Sequence, residues 1–114
     1  MKELKTKQDW ETCLEASGKK PVFVFKHSTD CPISSAAHER VSEYDHKTNG
    51  EKPAIYIVKV IENRPVSNQI AKDLGVQHRS PQIILVKDKA PVWSASHHSI
   101  RGERMQKAFE KTVS

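Results

Sequence analysis

The segment that most constrains this chain is Val22-Phe23-Val24-Phe25-Lys26-His27, which runs into the polar turn Ser28-Thr29-Asp30 and then Cys31-Pro32. The run is rich in β-branched and aromatic residues and is apolar at both alternating sets of positions. A strand of that kind is covered on both faces, which places it in the interior of a sheet. Beyond the turn, Ile33, Ala36, Ala37, Val41 and Tyr44 recur at helical intervals up to Thr48-Asn49-Gly50. Pro32 suits the first helical position, where its missing N–H costs nothing, and Asn49 or Gly50 can close the far end. Strand, tight turn and helix form the first half of a βαβ unit.

Ala54 to Val60 reads as a second buried strand, followed after Asn63-Arg64-Pro65 by a short helix carrying Val66, Ile70, Ala71 and Leu74, with Gly75 as terminator. Gln82 to Lys87 and Val92 to His97 read as an antiparallel hairpin across the turn Asp88-Lys89-Ala90-Pro91. An opening helix is expected through Leu4, Trp10, Cys13 and Leu14, stopped by Ser17-Gly18-Lys19-Lys20-Pro21, and a closing helix through Ile100, Met105, Ala108 and Phe109. With 114 residues there is room for one core and not two. The expectation is a single α/β domain over residues 1–114, in the order α-β-α-β-α-β-β-α, with a four-stranded mixed sheet flanked by helices. That order resembles the thioredoxin fold.

Charge and cysteine content narrow the function. Lys plus Arg number 19 against 14 Asp plus Glu, a net charge of +5 that favours acidic ligands. The basic residues are scattered, however, and no basic run carries interleaved aromatic residues, so no nucleic-acid partner is expected. No apolar stretch approaches the ~18 residues of a membrane span, and MKELKTKQDWE is charged where a secretory signal is apolar. A cytoplasmic protein without a membrane partner is expected. Cys13 and Cys31 are too few for a disulfide framework and lack paired metal spacing. Nor do the adjacent His97 and His98, which cannot both face one site if they lie in a strand, or His38 and His46, eight apart on one helix, suggest a metal site.

Cys31 carries the expected chemistry. Thiolate is the nucleophilic form, and a cysteine at a helix N-terminus is favoured as the anion by unpaired N–H groups, here those of Ile33 and Ser34. Lys26 and His27 lie close in sequence and would add positive potential, whereas Asp30 would oppose it. A free cysteine is often simply a small buried hydrophobe, but a polar turn before a proline is a poor place for one. Cys13, on the apolar face of Trp10 and Leu14, reads as core.

Cys31-Pro32-Ile33-Ser34 has the spacing of a C-x-x-C redox motif with serine at the second site. Attack by Cys31 on a disulfide would then stop at a mixed disulfide that a separate thiol must release. Ser34 could donate to the thiolate, or could serve only to satisfy backbone groups of the first turn. Ser80-Pro81, just before the third long strand, is either a cis peptide that presents Ser80 to a bound disulfide or an ordinary trans proline at a strand edge.

Three segments, Lys26 to Ser34, Arg64-Pro65-Val66-Ser67-Asn68 with Ile70-Ala71, and His78-Arg79-Ser80-Pro81-Gln82, resemble the monothiol bacilliredoxins of the YtxJ type over nearly the whole chain. The departures are Asp30 where that motif usually has threonine before the cysteine, and His97-His98 where Ser-His-Trp is usual. The resemblance implies a cytosolic thioredoxin-like enzyme of low-GC Gram-positive bacteria that removes bacillithiol from S-bacillithiolated proteins. In it Cys31 is the attacking thiol, and Pro32, Ile33, Ser34, Ser80 and Pro81 meet the substrate. It implies no permanently bound cofactor, bacillithiol as co-substrate, and a recycling thiol or reductase as partner. There are two rival readings: an iron–sulfur cluster module held by Cys31 and a thiol cofactor, or a redox-inert thioredoxin-fold interaction protein that a Cys31→Ser change would leave unharmed.

Overall fold

The run Val22–His27 becomes the central strand of the sheet, buried at all six positions. In the computed structural model, residues 1–47 and 53–113 are described. They form β1 (Lys2–Glu3), α1 (Lys7–Ala16), β2 (Val22–His27), α2 (Pro32–Lys47), β3 (Ala54–Lys59), α3 (Arg64–Leu74), β4 (Gln82–Lys87), β5 (Ala90–Ser96), a 3-10 turn (His97–Ser99) and α4 (Gly102–Val113). The strand order is β1-β3-β2-β4-β5; β1 and β2 both run parallel to β3, and β4 runs antiparallel to both β2 and β5. The expected closure of α2 by Asn49 or Gly50 lies outside the described residues.

The two-residue period of β2 sorts its side chains onto two cores. Val22 and Val24 face α1 and α3, packing with Trp10, Cys13, Val58, Ile70 and Ile84. Phe23 and Phe25 face α2 and α4, packing with Ala37, Val41, Ile83, Met105 and Phe109. Both faces being covered explains why β2 and β4 read as unbroken apolar runs.

The sheet has five strands rather than four. Leu4, assigned by spacing to the opening helix, lies before it: its N–H donates to the Ile57 carbonyl at 2.7 Å, extending the short pairing of β1 with β3. The helix instead starts after Thr6, whose hydroxyl accepts the Asp9 N–H while the Asp9 carboxylate accepts the Thr6 N–H. This capping box fixes the start more strongly than apolar spacing does.

The hairpin turn is also tighter than expected. Asp88 and Lys89 both adopt positive φ, 51° and 65°, giving a two-residue connection that lets β5 begin at Ala90. Ser17 steadies it, its carbonyl accepting the Asp88 N–H and its hydroxyl the Lys89 N–H. Pro91 falls within β5, an edge strand, where a missing donor is tolerated. Past β5 the chain turns at His97–Ser99 instead of continuing as strand, and Ile100 precedes α4 instead of starting it. Arg40 on α2 holds this turn by donating to the Ile100 and His97 carbonyls at 2.6 and 3.1 Å.

Candidate functional site

β2 ends at His27, and the chain crosses to α2 through Ser28–Cys31. The Cys31 carbonyl accepts the Ser35 N–H at 2.9 Å, which makes Cys31 the residue that caps α2. Its own N–H donates to the Ser28 carbonyl at 3.3 Å, closing a tight turn. The thiol is free and the residue half-buried, while Pro32 and Ile33 beside it are exposed, Ile33 at 41%. The N–H groups of Ile33 and Ser34 belong to the open first turn of the helix, where no intrahelical acceptor exists. The first turn of α2 therefore offers unpaired donors beside the Cys31 position.

Cys13 differs in every respect. It is fully buried between α1 and the sheet, and burial pushes its thiol up to about 12. That thiol stays protonated and packed, as a core residue should.

Ser34 is fully buried, and its hydroxyl is engaged on two sides. It accepts the Ser28 N–H at 2.9 Å and bonds His27 Nδ1 at 2.8 Å. Of the two roles open to it from sequence, satisfying the backbone is the one these bonds describe. The serine at the second site of C-x-x-S thereby ties the end of β2 to the first turn of α2, bracing the loop that carries Cys31.

His27 lies on the α2 face, stacked on Phe25 at 5.6 Å between ring centres and 4.8 Å from the ring of His38. Burial, reinforced by the adjacent His38, lowers its pKa, with Glu62 acting in the opposite direction. The neutral imidazole is favoured, so His27 does not supply the positive potential expected of it; its contribution is the bond to Ser34.

Lys26 faces the other way, beneath α3, and is fully buried. Its Nζ donates to the Ser67 carbonyl at 3.2 Å and bonds His78 Nδ1 at 3.1 Å. Burial pulls this ammonium from 10.5 down to about 8, so it remains mostly cationic at neutral pH. Desolvation also lowers the His78 pKa, and the charges of Lys26 and Arg64 lower it further.

The Ser80–Pro81 peptide is cis. Pro81 directly precedes Gln82, which is the register partner of Lys26, so the proline lies at the end of the sheet where β2 runs into the Cys31 loop. The Pro81 carbonyl accepts the His97 N–H at 3.1 Å, and His97 itself has a φ of 54°. Ser80 Oγ and Gln82 Oε1 are enclosed and have no hydrogen-bond partner among the described residues.

The structure thus gathers Lys26, His27, Cys31, Ser34, Ser80 and Pro81 at one end of the sheet, but splits Lys26 and His27 between its faces. Sequence reasoning did not select His38, Ser67 and His78 as site residues. The signal for the last two was present, since period-2 alternation sends Lys26 toward the same face as Val22 and Val24, where α3 lies. Among the described residues no three His, Cys, Asp or Glu side chains form a metal-binding group, and no helix is long and apolar enough to cross a membrane.

This fold, with a thiol capping the helix after the central strand and a cis-proline opening the antiparallel one, defines a thioredoxin-like oxidoreductase. Over 94% of its length the chain superposes on 91% of a protein described as a candidate oxidoreductase with a thioredoxin fold, with 29% identity and a TM-score of 0.81. The thioredoxins of Fasciola hepatica and Malassezia sympodialis share the fold at TM-scores of 0.75 and 0.76, with 15% and 17% identity. Their coverage is 97% of this chain and 98% of the first, and 100% of this chain and 91% of the second. Residues 2–105 match the monothiol bacilliredoxin BrxC family, and the chain belongs to it.

Proposed function

We propose that this protein removes bacillithiol from S-bacillithiolated proteins in the cytoplasm. The Cys31 thiolate attacks the bacillithiol sulfur, a Cys31–bacillithiol disulfide forms, and the protein–bacillithiol S–S bond breaks. The protein cysteine leaves as thiolate and takes a proton from solvent. Cys31 then carries bacillithiol until a second thiol or a reductase attacks it. Bacillithiol is a co-substrate in this cycle, with no permanently bound cofactor.

The observation that carries the reading is the single accessible thiol at a helix cap whose motif partner, Ser34, is a buried hydroxyl already engaged by His27 and Ser28. Such a site can start an exchange but cannot finish it within the motif. Pro32 and Ile33 follow Cys31 in the first turn of α2, and the turn His78–Pro81 that leads into β4, here the docking turn, lies at the same end of the sheet, where the disulfide would lie. Lys26 supplies a buried cation at the same end of the sheet.

The test mixes the protein with a bacillithiolated substrate and follows both by intact mass. Wild type gains one bacillithiol on Cys31 as the substrate loses it; Cys31→Ser does neither, and Cys13→Ala, which changes only core packing, retains the transfer. A substrate that stays modified while glutathione adducts exchange freely would overturn the proposal.

A further inference from the structure

Lys26 is a fully buried cation whose hydrogen-bond partners are a backbone carbonyl and an imidazole, neither of them charged. A buried charge is costly unless something compensates it. An ammonium has only N–H donors, so His78 Nδ1 must be the acceptor and the ring proton must lie on Nε2. His78 is an exposed residue, and its Nε2–H has no acceptor among the described residues.

The surroundings share that imbalance. Arg64 opens α3 three residues before Ser67, the residue whose carbonyl Lys26 holds and whose hydroxyl lies 3.5 Å from His78 Nδ1. The positive end of the α3 dipole points the same way. Arg79 follows His78, and Ser80 Oγ in the same turn is enclosed and unpartnered. Among the described residues no carboxylate pairs with Lys26, Arg64, His78 or Arg79. Glu62, close by in sequence, is bonded by Thr29. Lys26 from β2 and Arg64 from α3 therefore both bear on His78, three residues before the cis-proline, and among the described residues no acidic side chain pairs with any of them.

We propose that His78 Nε2–H and Arg64, backed by the buried Lys26 cation, form a subsite for a carboxylate on the small thiol that the substrate carries. The proposal rests on the de-bacillithiolation reading and names the part of bacillithiol that is recognised: its malyl carboxylates, not its sulfur. The Lys26–His78 bond fixes the tautomer, so the donor is preorganised. An anion seated on Nε2–H is also felt by Lys26 through the ring.

The experiment compares two disulfides of one peptide, with bacillithiol and with an analogue whose malyl group is replaced by methyl. The peptide is the same in both, so a preference arises from the carboxylates of the thiol and not from acidic side chains beside the peptide cysteine. Wild type is expected to release peptide from the bacillithiol disulfide about tenfold faster, the size of effect a charge-assisted contact gives. Arg64→Gln and His78→Gln bring the ratio toward one, whereas Lys72→Gln, at the far end of α3, preserves it. Equal rates in wild type, or a ratio that survives Arg64→Gln, overturn the subsite.

If wild type releases neither peptide, the parent reading fails, and a titration with L-malate still decides the subsite. A shift of the His78 ring resonances in wild type that is absent in Arg64→Gln supports it, and no shift overturns it.

Discussion

Lys26 and His27 are consecutive, both buried and both polar, yet they end on opposite faces of the sheet with opposite energetics. The His27 side is satisfied: its imidazole stays neutral, stacks on Phe25, and shares Ser34 with the Ser28 N–H. Ser34 Oγ, His27 Nδ1 and the Ser28 N–H are all engaged, so these bonds stabilise the loop under Cys31. The Lys26 side is not: a cation is held against neutral acceptors, with Gln82 Oε1 and Ser80 Oγ unpartnered in the adjoining segment. One face braces the loop that carries Cys31, and the other maintains a charge at a cost in stability. Such a cost in a folded protein is usually tied to what the site must bind or ionise.

The largest effect that tests this contrast is the pH dependence of stability at Lys26. Its ammonium falls from 10.5 to about 8 on folding, so between those values the unfolded chain holds a proton that the folded chain has released. Stability therefore rises with pH across that window, and the burial cost, about 3 kcal/mol, is fully present below pH 8. Denaturant unfolding of wild type and Lys26→Met at pH 7 and pH 10 should show wild type gaining on the variant by most of that amount. Parallel profiles would break the comparison. Taking the difference between the two proteins removes Cys13, whose raised thiol makes stability fall as pH rises above about 9.

Next in size is Ser34→Ala. It strands the Ser28 N–H and leaves His27 Nδ1 without its partner, at a cost of about 1–3 kcal/mol in unfolding free energy. If the His27 face is the stabilising one, this loss appears at pH 7, where Lys26→Met shows none of comparable size. A silent Ser34→Ala would show that the bracing is nominal.

The smallest expected effect lies where α3 hands over to the docking turn. Gly75 caps the helix with φ of 66°, and an added Cβ would meet no atom within 4 Å. Gly75→Ala should thus cost only the left-handed backbone penalty, about 1 kcal/mol, read as a small drop in melting temperature. A much larger loss would mean that the Lys26 side is held together more tightly than its unpartnered groups indicate.

Much of this architecture was legible because the long elements announce themselves by period. Val22–His27 and Gln82–Lys87 have the observed bounds, and Gly75 ends α3 as its chemistry requires. β1 was not legible, since two residues have no period and Leu4 happened to fit a helical one. The Thr6-Lys7-Gln8-Asp9 capping box held the missing information. The hairpin was placed too wide because Asp88-Lys89 makes a positive-φ turn without glycine.

At the site, Cys31-Pro32 could be read from local rules of helix starts. The orientation of Lys26 and His27 follows from alternation once the strand is known. Alternation also sends Lys26 toward α3, but which residues meet the pair, His38 from α2, Ser67 from α3 and His78 after it, is set by long-range packing.

The sheet's borders bear on how other molecules approach. β1 offers only two residues, and β5 contains Pro91, which has no amide hydrogen, so both flanks are poor templates for adding a foreign strand. Lateral growth into fibres or strand-swapped pairs is thereby discouraged. The rim that carries Cys31, where β2 runs into α2, is left as the end of the sheet not bounded by either flank strand.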